Sequence, residues 1–499
     1  MAQPSPLDPN EAPLSDELAA ERVEQSENEA LQDDENLAFD DRMQLNADFI
    51  WSVDEEINNG DESEVRRLCA DLRPADLADL IEQLPDDSRG QLVQMLGENF
   101  SAETLAELVY DVRDSVIGSM PTEQLAEAIA ELDTDEAAFV IGDMSDEDRA
   151  EVLAEMPVAD RLALQAALDF PEDSAGRMMQ REVFAAPSFW TVGQIIDRLR
   201  SAEELPDLFY EVFVVDPAFK VIGSVALSRF LKAPRDLKIV DLMVDDIFRV
   251  RVDQDQEEVA YLFEKYNLIS APVVDAGDRL VGMITVDDVV EVVRDETGED
   301  MLALAGVAQD EHGTSLSVPK IARSRFVWLC INLGTAILAS FVISFFDATI
   351  AQVVALAVLM PIVASMGGNA GTQTLTVAVR NLATRDLTPA NALRVVGRET
   401  AVSFINGVAF AVLLGVTAGF WYQTLGGGGP GEGVILGCVL AAAMIITMLA
   451  AGLSGILIPL TLDRFGADPA VSSAVFVTTV TDITGFFAFL GLAALFLVG

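Results

Sequence analysis

The chain has 499 residues and a formal net charge of −50, with 81 acidic residues against 31 basic ones. That balance argues against nucleic acid or anionic lipid as partners. Three cysteines (Cys69, Cys330, Cys438) and a single histidine, His312, leave no disulfide framework and almost no room for histidine-based metal or catalytic chemistry.

The charge is unevenly spread. From residue 326 onward five Arg face seven acidic residues, a net of −2, so residues 1–325 hold −48. An acidic water-soluble half thus precedes a membrane half. Residues 1–46, rich in Asp, Glu, Ser, Pro and Gln, read as a disordered acidic tail. No basic segment followed by an apolar stretch opens the chain, so no signal peptide is expected. Residues 47–177 read as an acidic, all-α superhelical domain. "LRPADLADLIEQLPDDSRGQLVQML", "SMPTEQLAEAIAEL" and "EMPVADRLALQAAL" repeat one pattern, in which Pro, Ser, Thr or Asp opens a short amphipathic helix. Units that cannot bury their apolar faces alone are expected to stack on their neighbours.

Between residues 178 and 295 the period changes. "FYEVFVVD", "KVIGSVAL" and "SAPVVDAGDRLVGMIT" read as short strands, and they alternate with helical stretches such as "QEEVAYLFEKY". Helix, strand, turn, strand, helix occurs twice. This α/β pair of repeats resembles a tandem CBS pair, with Met243–Val293 the closer copy. The resemblance implies ligand sensing, with a nucleotide such as ATP among the ligands. Arg229 stands in the first copy where a ribose-binding Asp is expected, whereas the second retains "TVDD", Thr285–Asp288.

Residues 296–325 are expected to form a connecting, or plug, helix. Residues 326–499 are expected to form an all-α membrane domain of five transmembrane helices, because five stretches with at most one charge each exceed the length of a bilayer core. Arg323, Arg325 and Lys320 flank the first span. Arg380, Arg385, Arg394 and Arg398 lie between the second and third, and Arg464 between the fourth and fifth. The loops around Asp347 and Glu432 have no basic residue. The positive-inside rule therefore places the chain in the cell (inner) membrane, with the N-terminus cytoplasmic and the C-terminus outside.

One ionised side chain, Asp482, falls near the middle of a span. A carboxylate there costs about 2.5–3.5 kcal/mol even on the lenient insertion scale, and such residues mark ion paths more often than structure. Thr478, Thr479, Thr481 and Thr484 surround it with hydroxyls. In the second span "PIVASMGGNAGTQT" adds Gly367, Gly368, Asn369, Gly371 and Gln373, which with Thr481 are candidate pore-lining positions. Pro361 and the glycines would let the backbone unwind along a water-filled path, or serve as a small-residue packing face. Without thiolate or imidazole the donors suit a hard cation, Mg²⁺ or Ca²⁺. A lone carboxylate is few for a dehydrated Ca²⁺ cage and is compatible with hydrated Mg²⁺ held between two chains.

The order of these parts, together with "FPEDSAGRMM" (Phe170–Met179), "MGGNAGTQ" (Met366–Gln373) and "TVTDITGFF" (Thr479–Phe487), resembles the MgtE family of magnesium transporters. The resemblance implies a homodimeric Mg²⁺ channel or transporter, with Asp482 as the pore ligand. It also implies a soluble half that senses cytosolic Mg²⁺ and closes the pore. Asp288, Glu291, Glu296 and Glu299 are the candidate sensors on and after the last CBS helix. Glu257 and Asn267 match further sensor positions, and Asn267 replaces the usual Asp. An enzyme is not expected, since no nucleophile, phosphate-loop or zinc motif is present. The alternative is a CBS-containing membrane sensor that transports nothing.

Overall fold

The computed structural model describes residues 38–498 except 41, 143, 202–208, 308–317, 389, 427 and 430. Most of the expected acidic tail, residues 1–37, and much of the expected connecting segment, residues 308–317 with His312, lie outside the described residues. The described end of the tail is ordered. Phe39 bridges to Leu45, Leu45 is buried, and Asn46 caps the first helix by accepting from the Asp48 amide.

The chain divides into two compact units, Met1–Asp288 and Val289–Gly499. Among the described residues of the first unit, ten α-helices run from Ala47–Asn59 to Val158–Leu168. Their starts follow from local chemistry. Asp61 and Ser145 accept amide hydrogen bonds in the first turn, and Pro85, Pro121 and Pro157, equally spaced in the chain, each occupy the position before a helix. One continuous core, with Val53, Ile57, Leu80, Leu92, Leu105, Val116, Ile129 and Ile141 at its centre, passes from helix to helix. This is the stacked arrangement expected of units that cannot bury their faces alone.

Two three-stranded sheets follow. In one, β1 (Ala185–Pro187) lies parallel to β2 (Glu211–Val215), which pairs antiparallel with β3 (Val221–Ala226). In the other, β4 (Val250–Arg251), β5 (Ser270–Val274) and β6 (Leu280–Thr285) repeat this order. Both carry an irregularity at the same place, between Val214 and Val215 and between Val273 and Val274. The copies interlock. Gln180, ahead of β1, bridges to Met283 on β6, and Val244, ahead of β4, bridges to Ser224 on β3. Gly223 and Gly282 permit this, because a Cβ at either would meet a carbonyl oxygen of the crossing segment at 2.5 Å. Phe213, Val215, Val221, Val274, Leu280 and Met283 form one shared apolar cluster.

Among the described residues the second unit holds five helices long and apolar enough to cross a membrane: Ile321–Ser344, Ala355–Ala383, Ala392–Thr424, Glu432–Arg464 and Ala474–Val498. The fourth is central, with half of its most apolar window buried, whereas the first has 6% buried and lies at the periphery. The second span is a continuous helix through Pro361 and the glycines. Of the two outcomes open from the sequence, close packing holds and unwinding does not. The connector also differs from expectation. It does not begin a new helix at Glu296 but is the second half of one helix, Val286–Leu304, that starts directly after β6.

Candidate functional site

Gly367 and Gly371 face the fourth and fifth spans. A methyl at Gly367 would meet Thr447 Cγ2 at 2.6 Å, and one at Gly371 would meet Val477 Cγ1 at 2.5 Å. Both glycines are buried, as is Thr481, whose hydroxyl donates to the Thr478 carbonyl at 2.9 Å. Within one chain, therefore, these three expected pore-lining residues are packing positions: Cβ-free contacts bring the second and fifth spans together. Gly368, partly buried, stands beside Thr478 at the edge of this contact.

Asn369 and Gln373 are exposed. Asn369 belongs to a stripe of Ser365, Asn369, Thr372, Thr376 and Arg380, all exposed, recurring at helical spacing along one face, with Gln373 at its edge. Thr372 and Thr376 turn their hydroxyls back to the carbonyls of Gly368 and Thr372. The helix is otherwise apolar, so this face is polar where lipid or a partner is expected. Gly371 against Val477, Gly367 against Thr481 and Val363 against Gly485 set the relative height of the two spans. Asp482 then lies level with Met366, at the height of Ser365 and Asn369 along the helix, although those two residues stand on the face turned away from the fifth span. Asp482 is partly buried, and among the described residues it has no cationic partner.

In the first unit the structure brings Asp288 to two acids that sequence reasoning missed. Asp288 Oδ2 accepts from the Thr285 amide and hydroxyl, each at 2.9 Å. Its other neighbour is Asp135, at the start of helix Thr134–Gly142. Burial first, then Asp288, Glu136 and Asp133, hold the Asp135 carboxyl well above the usual carboxylate range. Glu136 is pushed up to about 7 by burial and by Asp133, Glu103 and Asp288. Asp288 is itself raised by burial, against the pull of its Thr285 hydrogen bonds. A side-chain hydrogen bond links Asp288 to Asp135. Asp135 Oδ1 is enclosed and has no hydrogen-bond partner. An enclosed, unpartnered oxygen on a residue that neighbours a second carboxylate fits a hard divalent cation.

The remaining sensor candidates separate. Glu291 stands 3.8 Å from Arg294. Glu257 and Asn267 lie at opposite ends of helix Gln256–Tyr266, about 15 Å apart along its axis, so they share no ion within one chain. Asn267 has φ +51° and ends that helix through its amide. A left-handed terminal position favours Asn over Asp, which explains the departure from the expected acid without reference to a metal. In the second unit Glu296 neighbours Asp300, another residue missed from sequence. Burial, Asp468 and Glu296 push the Asp300 carboxyl up to about 6. Asp468 caps the fifth span by accepting from the Ala470 amide at 2.7 Å. Ala303 and Leu304, one turn further on, pack against Leu375, Val379, Ala470 and Val477 of the second and fifth spans. Among the described residues no three carboxylate, imidazole or thiolate groups converge on one point, so each acid pair is a partial donor set.

Comparison with known proteins gives the family. A family profile described as a divalent cation transporter (MgtE) matches residues 360–492, one described as the MgtE intracellular N domain matches 72–173, and a CBS domain profile matches 239–295, the second copy. The chain is 32% identical over 450 residues to the magnesium transporter MgtE of Thermus thermophilus, spanning 89% of this chain and 98% of that protein. The chain belongs to the MgtE family. The magnesium transporter MgtE of Bacillus subtilis is 29% identical over 442 residues, 88% of this chain and 96% of that protein. A solved cytosolic domain of the Mg²⁺ channel MgtE in complex with ATP is 29% identical and covers 49% of this chain and 99% of its own, with a TM-score of 0.46. This MgtE chain is thus a multi-pass membrane protein with an N-terminal helical domain and a CBS pair.

Proposed function

We propose that the chain carries Mg²⁺ into the cell through a path bordered by the second and fifth spans, and that cytosolic Mg²⁺ closes it. The observation that carries this reading is Asp482, a carboxylate without a counter-charge, level with a polar face on an otherwise apolar helix. An exposed polar face in a bilayer needs a partner or water. A second copy of the chain across a two-fold axis supplies both, placing two carboxylates around one hydrated ion. Mg²⁺ surrenders its water shell reluctantly and is commonly held through it by one or two carboxylates, which suits this donor set.

Closure follows from the acid pairs. Without Mg²⁺, Asp135, Glu136 and Asp288 repel, as do Asp300, Glu296 and Asp468. A divalent ion at each pair removes the repulsion, and at the second it fixes Ala303 and Leu304 over the cytoplasmic end of the spans. Asp288, Glu296 and Glu299 remain sensor assignments in this scheme, joined by Asp135, Asp300 and Asp468. Nucleotide binding is less favoured, because Arg229 replaces the acid in the first copy and Asp288 is already engaged by Thr285 and Asp135. The N-terminus is cytoplasmic and the C-terminus outside, following the arginine-bearing loops. Mg²⁺ flux into liposomes, with wild type beside Asp482→Ala, tests the reading. A transporter loses flux with normal insertion, whereas a sensor that transports nothing shows none in either protein.

A further inference from the structure

The polar stripe of the second span ends in a cation. Arg380 lies fifteen residues after Ser365 and eleven after Asn369, so all three share one helix face, and all three are exposed. Arg380 is one residue beyond Val379, which shares an apolar cluster with Ala303 of the connecting helix. Its height matches Asp468, the cap of the fifth span, but it faces away from the fifth-span contact made by Gly367 and Gly371. Among the described residues Arg380 has no carboxylate partner, although Asp300 and Asp468 stand at the same end of the bundle. Arg398, by contrast, pairs with Glu399 at 3.1 Å. The chain thus holds an uncompensated positive charge on the face that carries its neutral oxygens, about 20 Å along the helix from the level of Asp482.

We propose that Arg380 is the charge at the cytoplasmic mouth of the ion path, an electrostatic barrier that limits how readily divalent cations pass between the mid-membrane carboxylate and the cytosol. The inference rests on the reading that the stripe borders that path. In a dimer two guanidinium groups flank the mouth. In water a divalent ion about 6 Å from one guanidinium is depleted roughly tenfold. The mouth is then poor in waiting cations, while Asp482 deeper in the membrane attracts them from the other side. The bland alternative is an arginine that snorkels to lipid headgroups and anchors the helix.

Salt separates the two. Mg²⁺ flux into liposomes of the full chain is measured at 20 and 500 mM KCl for wild type, Arg380→Gln, Arg380→Lys and Asp482→Ala. The barrier predicts that Arg380→Gln exceeds wild type severalfold, up to roughly tenfold, at low salt, and that the excess vanishes at high salt, where the Debye length falls to a few ångströms. Arg380→Lys, which keeps the charge, stays near wild type in both. An anchoring residue predicts equal or lower flux for Arg380→Gln at both salts, and that result overturns the proposal. Asp482→Ala is the control for the path itself. If it conducts like wild type the path reading fails, whereas if it is silent and Arg380→Gln matches wild type only the mouth assignment fails.

Discussion

Asp482 is an ionised residue inside an apolar stretch, where a carboxylate is costly and marks an ion path more often than a structural contact. The glycines beside it were harder to assign. Gly367 and Gly371 fit both an unwound pore segment and a packing face, and only the distances to Thr447 and Val477 decide for packing. Substituting Val at either should therefore lower the melting temperature of the whole membrane domain, because the side chain must displace a neighbouring span. Thermal unfolding in detergent reads this out, and an unchanged melting temperature would mean the spans separate at little cost. Resemblance makes Asn267 a sensor candidate, and its left-handed backbone supplies another reason for the residue. Asn267→Gly keeps the left-handed cap and removes the side-chain oxygen. Its Mg²⁺ closure midpoint, followed by protease protection, should equal wild type, and a higher midpoint would restore Asn267 as a ligand.

At the scale of elements, the α/β repeats and the five spans were readable from period and hydropathy, because each pattern repeats within a short window. The junction between the CBS helix and the connector was not. Val286–Leu304 is continuous, and nothing between Asp288 and Glu296 breaks a helix. Nor could Asp135 be picked out, since its approach to Asp288 is a long-range contact made by one acid among many. That contact carries a pH dependence. A carboxyl raised by folding stabilises the ion-free fold fully below its unfolded value, and the contribution is lost as pH rises through the folded value. For Glu136 this window runs from about 4.5 to about 7. The ion-free protein should melt at a lower temperature at pH 8 than at pH 5, and added Mg²⁺ should raise the melting temperature more at pH 8. Asp135→Asn with Glu136→Gln should flatten both trends, and an unaltered pH profile would remove these acids from the sensor. Asp300→Asn should likewise shift closure to higher Mg²⁺ while leaving the open-state flux unchanged, which flux measured across a series of internal Mg²⁺ concentrations would show.

For the molecule as a whole, the −50 charge resides almost entirely in the soluble half. An array of carboxylates that Mg²⁺ must neutralise makes closure depend on ion concentration rather than on a single tight site. Neutralising Glu296 and Glu299 together should keep conduction and move the protease-protection midpoint to higher Mg²⁺. A helical part, an α/β pair of repeats and apolar spans were legible from period and hydropathy, while the partial donor sets were not, because they form only when distant segments meet. The account stands on the mid-membrane carboxylate. Its most direct test is Mg²⁺ uptake by liposomes holding purified wild-type or Asp482→Ala protein at equal insertion. The account predicts robust uptake for the first and background for the second, and equal uptake by both would contradict it.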